Sequence, residues 1–181
     1  GVKKRKAVPL VLMHHGSSGT GEKFYNISGW KEEADRRRFI VAFPTSLPYD
    51  VLDGGTATKW HDYSLLQMID AAWRPPGYPA ASPWPADDVS FIGQLLDDLE
   101  AEANIDARRI YSAGFSSGSA FTARLSIEMS DRFAAVAQFA GGLVSEQEPV
   151  QRIPVAWLLG SLDDKVIGAV NAMMEPGREP I

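Results

Sequence analysis

The sequence predicts an α/β domain built on a predominantly parallel sheet flanked by helices. The prediction rests first on short continuous apolar runs. Pro9–Met13, Phe39–Phe43 and Ala134–Ala140 have the length and composition of strands buried on both faces. Segments of helical period separate them, most plainly the one carrying Val89, Ile92, Leu95, Leu96 and Leu99. Finally, strands and helices alternate along the chain, broken by a single irregular stretch.

Taken in order, Lys3-Lys4-Arg5-Lys6 reads as a solvated lead-in to the first strand. That strand, Pro9–Met13, ends in His14-His15-Gly16, and Ser17–Gly21 supplies a loop. A helix is expected over 29–38, with Trp30, Ala34 and Arg37 along one face. Pro44 stops the second strand. Residues 44–86 then form an irregular, aromatic-rich insert. Pro44, Pro48, Pro75, Pro76, Pro79, Pro83 and Pro85 interrupt it, with room only for a short helix near Leu65–Ala72. So long an irregular stretch usually carries function. Asp87 or Ala86 caps the next helix, and Asn104-Ile105-Asp106 turns the chain. A strand over Arg109–Ala113, a helix over Ser117–Met129, and strands over Ala134–Ala140 and Pro154–Leu159 complete one domain spanning 1–181.

Composition excludes several function classes. At 181 residues with 45% hydrophobic and 23% charged side chains, the chain is neither disordered nor low in complexity. No run of apolar residues is long enough for a transmembrane helix. The absence of cysteine rules out disulfide frameworks, thiol nucleophiles and Cys-ligated zinc. A net charge of −5 argues against nucleic acid as a partner. No metal motif is present and no cofactor is expected. Histidine is scarce, at positions 14, 15 and 61.

Chemistry concentrates at the ends of strands. Gly114-Phe115-Ser116-Ser117-Gly118 matches G-x-S-x-G between an apolar strand and a helix. The pattern suits a sharp turn that lifts the serine hydroxyl above the sheet edge, with small residues where the backbones pass closely. An oxyanion needs two converging donors. The Ser117 N–H is one candidate, and the Ser17 N–H, in the loop after the first strand, is the other. Asp163 and Asp164, after the last strand, are both candidates from spacing alone for the acid that orients a histidine.

The stretches PLVLMHHG, GWKEEADRRRFIVAFP, FAAVAQFAGG, PVAWLLGSLDDKV and the long block from DDVSFI to SSGSA resemble the α/β-hydrolase superfamily. Within it they are most similar to the polyhydroxybutyrate depolymerase and feruloyl or acetylxylan esterase group, including its LpqC-like branch. The resemblance implies Ser116 as nucleophile, Asp163 as acid, from Gly160-Ser161-Leu162-Asp163, and Ser17 and Ser117 as oxyanion donors. It sets Trp60 in a loop near the substrate. His15 is the second expected substrate contact, against the alternative that its ring is held structurally. Chain order in this fold is Ser, acid, His, and no histidine follows Asp163. The base is therefore expected beyond Ile181. The start at the first central strand likewise suggests part of a longer protein. The implied activity is serine carboxylic-ester hydrolysis through an acyl-enzyme, on a polyester or an aromatic or carbohydrate ester, in an extracellular or periplasmic setting. The alternatives are a peptidase or lipase on the same fold, or an inactive hydrolase-like binding module.

Overall fold

The structure is a computed structural model that describes residues 6–141 and 147–164. Five strands form one sheet: β1 (Val8–His14), β2 (Ile40–Ala42), β5 (Ile105–Phe115), β6 (Ala135–Phe139) and β7 (Val155–Leu158). All pair in parallel, in the order β2-β1-β5-β6-β7. The chain first moves outward from β1 to β2, then returns to lay β5 on the other side of β1. Strand order therefore reverses between β1 and β5, the position where open α/β sheets form their ligand crevice.

Side-chain alternation along β1 divides the core. Leu10 and Leu12 pack with Ile92 and Leu96 of α3 (Asp88–Glu102) and with Phe121 and Leu125 of α4 (Ser117–Glu128). Val11 and Met13 face the opposite layer, where α1 (Gly21–Ile27) and α2 (Trp30–Arg37) contribute Phe24 and Trp30. Period-two alternation sends neighbouring residues to opposite faces, so one apolar run serves both layers.

The structure differs from the sequence reading in two places that matter. The loop expected over Ser17–Gly21 runs directly into a helix, α1, which begins at Gly21. Thr20 caps it by accepting from the Lys23 N–H at 3.0 Å. A Cβ at Gly21 would run into the Phe43 carbonyl, so only glycine lets α1 pass the end of β2. The insert is also more ordered than its prolines suggest. β3 (Pro48–Asp50) and β4 (Thr56–Thr58) form an antiparallel hairpin. Tyr49, Leu65 and Ile69 give the insert its own small core, and the expected helix near Leu65–Ala72 is a single 3₁₀ turn, Leu65–Gln67. Among the described residues no helix is long and apolar enough to cross a membrane.

Candidate active site

β5 ends at Phe115 and α4 begins at Ser117, so Ser116 is the single residue of the junction. It has φ 54° and ψ −117°, a conformation that non-glycine residues rarely adopt. The Ser116 N–H donates to Phe139 O at 2.9 Å, and its carbonyl accepts from the Ser119 and Ala120 N–H groups. Serine at a helix N-cap ordinarily turns its hydroxyl back onto the first turn. Here the side chain makes no capping hydrogen bond, so Oγ stands at the sheet edge uncommitted to the helix.

Glycines make this geometry sterically accessible. A Cβ at Gly114 would overlap the Gly118 carbonyl, and one at Gly118 would overlap the His14 carbonyl and come within 2.6 Å of His15 O. Strand β5, helix α4 and the end of β1 are thus in backbone contact. A Cβ at Gly16 would lie 3.3 Å from Ser116 Cβ, so the loop after β1 abuts the serine. Ser17 follows on that loop, exposed. The loop closes on itself through Gly19 N–H to Gly16 O at 3.0 Å, and Ser18 N–H donates to Thr58 O at 3.0 Å. Ser17 and Ser117 thus flank Ser116 across the switch between β1 and β5.

The expectation that His15 touches substrate is corrected by its burial. Its ring is fully enclosed, with Nδ1 donating to Gly16 O at 2.7 Å and Nε2 accepting from the Ser46 N–H at 3.1 Å. Burial lowers its pKa, which keeps the imidazole neutral and able to accept. His15 therefore fastens the Gly16–Ser17 loop to the start of the insert. His14 is sealed as well, against Ser112 Oγ at 3.1 Å, with its pKa lowered to about 3 chiefly by burial.

Trp60 is corrected for the same reason. Its side chain has no exposed surface. The indole stacks on Phe121 with centroids 4.9 Å apart, and Nε1 donates to His15 O at 2.9 Å. What reaches the junction is the Trp60 backbone, whose N–H lies 3.4 Å from Ser117 Oγ. An indole seeking both a flat apolar partner and an acceptor finds them beneath the site rather than in it.

Asp163 follows β7 on a turn closed by its N–H to Gly160 O at 3.1 Å. Asp163 is half-buried and Asp164 exposed. β7 lies two strands from β5, so its terminal loop starts about 10 Å from the serine.

His61 anchors the insert. Its N–H donates to Asp88 Oδ2 at 2.7 Å, Nδ1 donates to Ala86 O at 2.8 Å, and its carbonyl accepts from Arg124 at 2.7 Å. Among the described residues, no imidazole hydrogen-bonds the Ser116 hydroxyl. Asp88, which the sequence reading did not single out, is buried at the start of α3. Desolvation pushes its pKa up from 3.8 to about 6, against the His61 N–H and Arg124, which pull it down. A raised acid pKa means that the folded state holds the proton more tightly than the unfolded chain. The ionised form therefore costs stability above pH 6, and that cost disappears as the pH falls toward 4. Asp88→Asn is expected to be more stable than the parent by about 1–3 kcal/mol at pH 7–8 and equal to it near pH 4. His14 titrates with the opposite sign but is common to both proteins, so the difference between their denaturation curves isolates Asp88. A difference independent of pH would show that Asp88 is not desolvated.

The sheet order, the helix layers and the strained junction serine at the strand-order switch define an α/β-hydrolase fold. The chain belongs to the Phospholipase/Carboxylesterase family, which it matches over residues 2–166. It is 28% identical over 134 residues to poly(3-hydroxyalkanoate) depolymerase C of Paucimonas lemoignei, covering 74% of this chain and 28% of that one. It is 27% identical over 157 residues to the bifunctional acetylxylan esterase/xylanase XynS20E of Neocallimastix patriciarum, covering 86% of this chain and 19% of that one. Crystal structures with the same fold include Arabidopsis thaliana SOBER1, at 17% identity and TM-score 0.60 over 86% of this chain and 75% of that one. The chain spans less than half the length of the curated relatives it matches.

Proposed function

We propose that this chain carries the nucleophile, oxyanion donors and acid of a serine carboxylic-ester hydrolase, with Ser116 as the nucleophile. One observation carries the reading: a serine held at φ 54° between β5 and α4, with its hydroxyl withheld from helix capping. Strain of this kind is costly and is found where function requires it. The names of the relatives, a polyester depolymerase and an acetylxylan esterase, support esters as the substrate class.

In this mechanism Ser116 Oγ bonds to the ester carbonyl carbon as its proton passes to a base. The carbonyl oxygen becomes an oxyanion held by the Ser17 and Ser117 N–H groups. The carbon–oxygen bond to the alcohol then breaks, and the alcohol leaves with the proton. Water repeats the sequence on the acyl-enzyme, releasing the acid and restoring Ser116. Asp163 is assigned to orient the histidine that acts as base, while His14, His15 and His61 are held by hydrogen bonds elsewhere. An extracellular or periplasmic place of action belongs to the same reading.

The test is covalent labelling with a fluorophosphonate, mapped by peptide mass spectrometry. The adduct is expected on Ser116 and nowhere else, and absent from Ser116→Ala. Where base assistance is weak the serine labels slowly, so the adduct is read after long incubation. An adduct on another serine, with Ser116 unmodified, would overturn the assignment.

A further inference from the structure

We propose that Lys59 is a specificity residue of this site, binding a free carboxylate on the ester substrate; the inference rests on the reading of Ser116 as nucleophile. The backbone around Lys59 is fixed on both sides. Before it, Thr58 Oγ1 donates to Gly19 O at 2.6 Å and Thr58 O accepts from Ser18 N–H at 3.0 Å. After it, the Trp60 N–H reaches Ser117 Oγ at 3.4 Å, and the Lys59 N–H itself donates to Leu47 O at 3.1 Å. Lys59 therefore bridges the two segments that carry the candidate oxyanion donors.

Its side chain turns toward them. Nζ lies 3.3 Å from Ser17 Oγ and 3.8 Å from Met68 Sδ, and the residue is half-buried. Neither acceptor is charged. Among the described residues no carboxylate stands within salt-bridge distance of this ammonium. A half-buried cation with only neutral partners has lost some water and gained no counter-charge. An ester whose carbonyl oxygen sits between the Ser17 and Ser117 N–H groups brings its substituents within a few ångströms of Nζ. A carboxylate there forms a charge-assisted hydrogen bond, which a neutral substituent does not. The chain's overall charge of −5 repels anions in general, so the preference is local and requires this lysine.

Two pairs of aryl esters, turned over by a protein that supplies the histidine base, test the proposal and separate the two sides of the scissile bond. Mono-4-nitrophenyl glutarate against 4-nitrophenyl valerate places the carboxylate on the acyl side. 4-Acetoxybenzoate against its methyl ester places it on the leaving side. The readout is the ratio of phenol-release rates, anionic over neutral, with the Ser116→Ala rate subtracted. In one pair the ratio is expected to fall about tenfold in Lys59→Met, to invert in Lys59→Glu and to be retained in Lys59→Arg. In the parent it should shrink as salt rises from 0.1 M to 1 M, where the screening length drops from about 10 Å to about 3 Å. Ratios unchanged by Lys59→Met in both pairs, with release still dependent on Ser116, would overturn the role of Lys59 and leave the nucleophile standing. Release from no ester above the Ser116→Ala rate would overturn both.

Discussion

In a protein that supplies the histidine base, replacing Ser116 with alanine is expected to lower ester hydrolysis by at least about 10³-fold while leaving the protein folded. Both halves follow from the junction. The hydroxyl makes no helix-capping bond, so its loss removes nothing that holds α4 in place. The backbone bonds from the Ser116 N–H to Phe139 O, and from Ser119 and Ala120 to Ser116 O, survive any side chain. Strain survives too, because alanine keeps the Cβ that makes φ 54° unfavourable. Glycine does not, so a third variant separates chemistry from strain. Relief of about 1–3 kcal/mol is offset by roughly 0.5–1 kcal/mol of extra glycine entropy, leaving a net gain of about 1 kcal/mol. Ser116→Gly is therefore expected to be as inactive as Ser116→Ala and to melt about 2–4 °C above it. Equal melting points for the two variants would mean that the junction stores no more strain than the roughly 0.5–1 kcal/mol of glycine entropy that offsets it. An alanine variant retaining most of its turnover would move the nucleophile elsewhere.

The legibility of the site follows from the range of the constraints that build it. Gly114, Ser116 and Gly118 were readable because the turn that needs them is five residues long and its partners are adjacent elements. The order of apolar runs likewise announced the parallel sheet, and Asp87 as the cap of α3 is a local signal that the structure keeps. Trp60 was not readable. Its loop has no period, and the direction of its ring depends on Phe121 and on the His15 carbonyl, both distant in sequence. The same holds for His15, whose role is decided by the Ser46 N–H on the far side of β2. Asp88 sits beside the cap residue and reads as an ordinary first-turn acid until the fold brings His61 over it. α1 did have a signal, Thr20 before a polar turn, but seven residues opening on glycine carry too little periodicity to stand out. Local motifs thus exposed the candidate nucleophile, and long-range contacts decided what surrounds it.

Gly118→Ala is expected to be strongly destabilising, although alanine is the better helix former. In an exposed helix the exchange gains about 1 kcal/mol. Gly118 stands in the first turn of α4, where a Cβ would overlap the His14 carbonyl and approach His15 O at 2.6 Å. Both obstacles are backbone, and β1 is fixed between β2 and β5, so neither has room to yield. Overpacking of this kind costs about 1–3 kcal/mol where side chains can adjust and more where they cannot, so the overlap outweighs the helix term. A net loss of about 3 kcal/mol is expected, read as a lower urea midpoint with an unchanged slope. Gly93 in α3 supplies the opposite case, because a Cβ there meets only the Met129 methyl at 3.8 Å. Gly93→Ala should therefore raise the midpoint, by about 0.5–1 kcal/mol. The same methyl in two helices is predicted to act with opposite sign, and the difference measures how closely α4 is pressed onto the end of β1. Should both variants gain stability, the close approach that fixes Ser116 beside Gly16 would be disproved. Should Gly118→Ala fold but label slowly with a fluorophosphonate, the displaced β1 loop would account for it, since that loop carries Ser17.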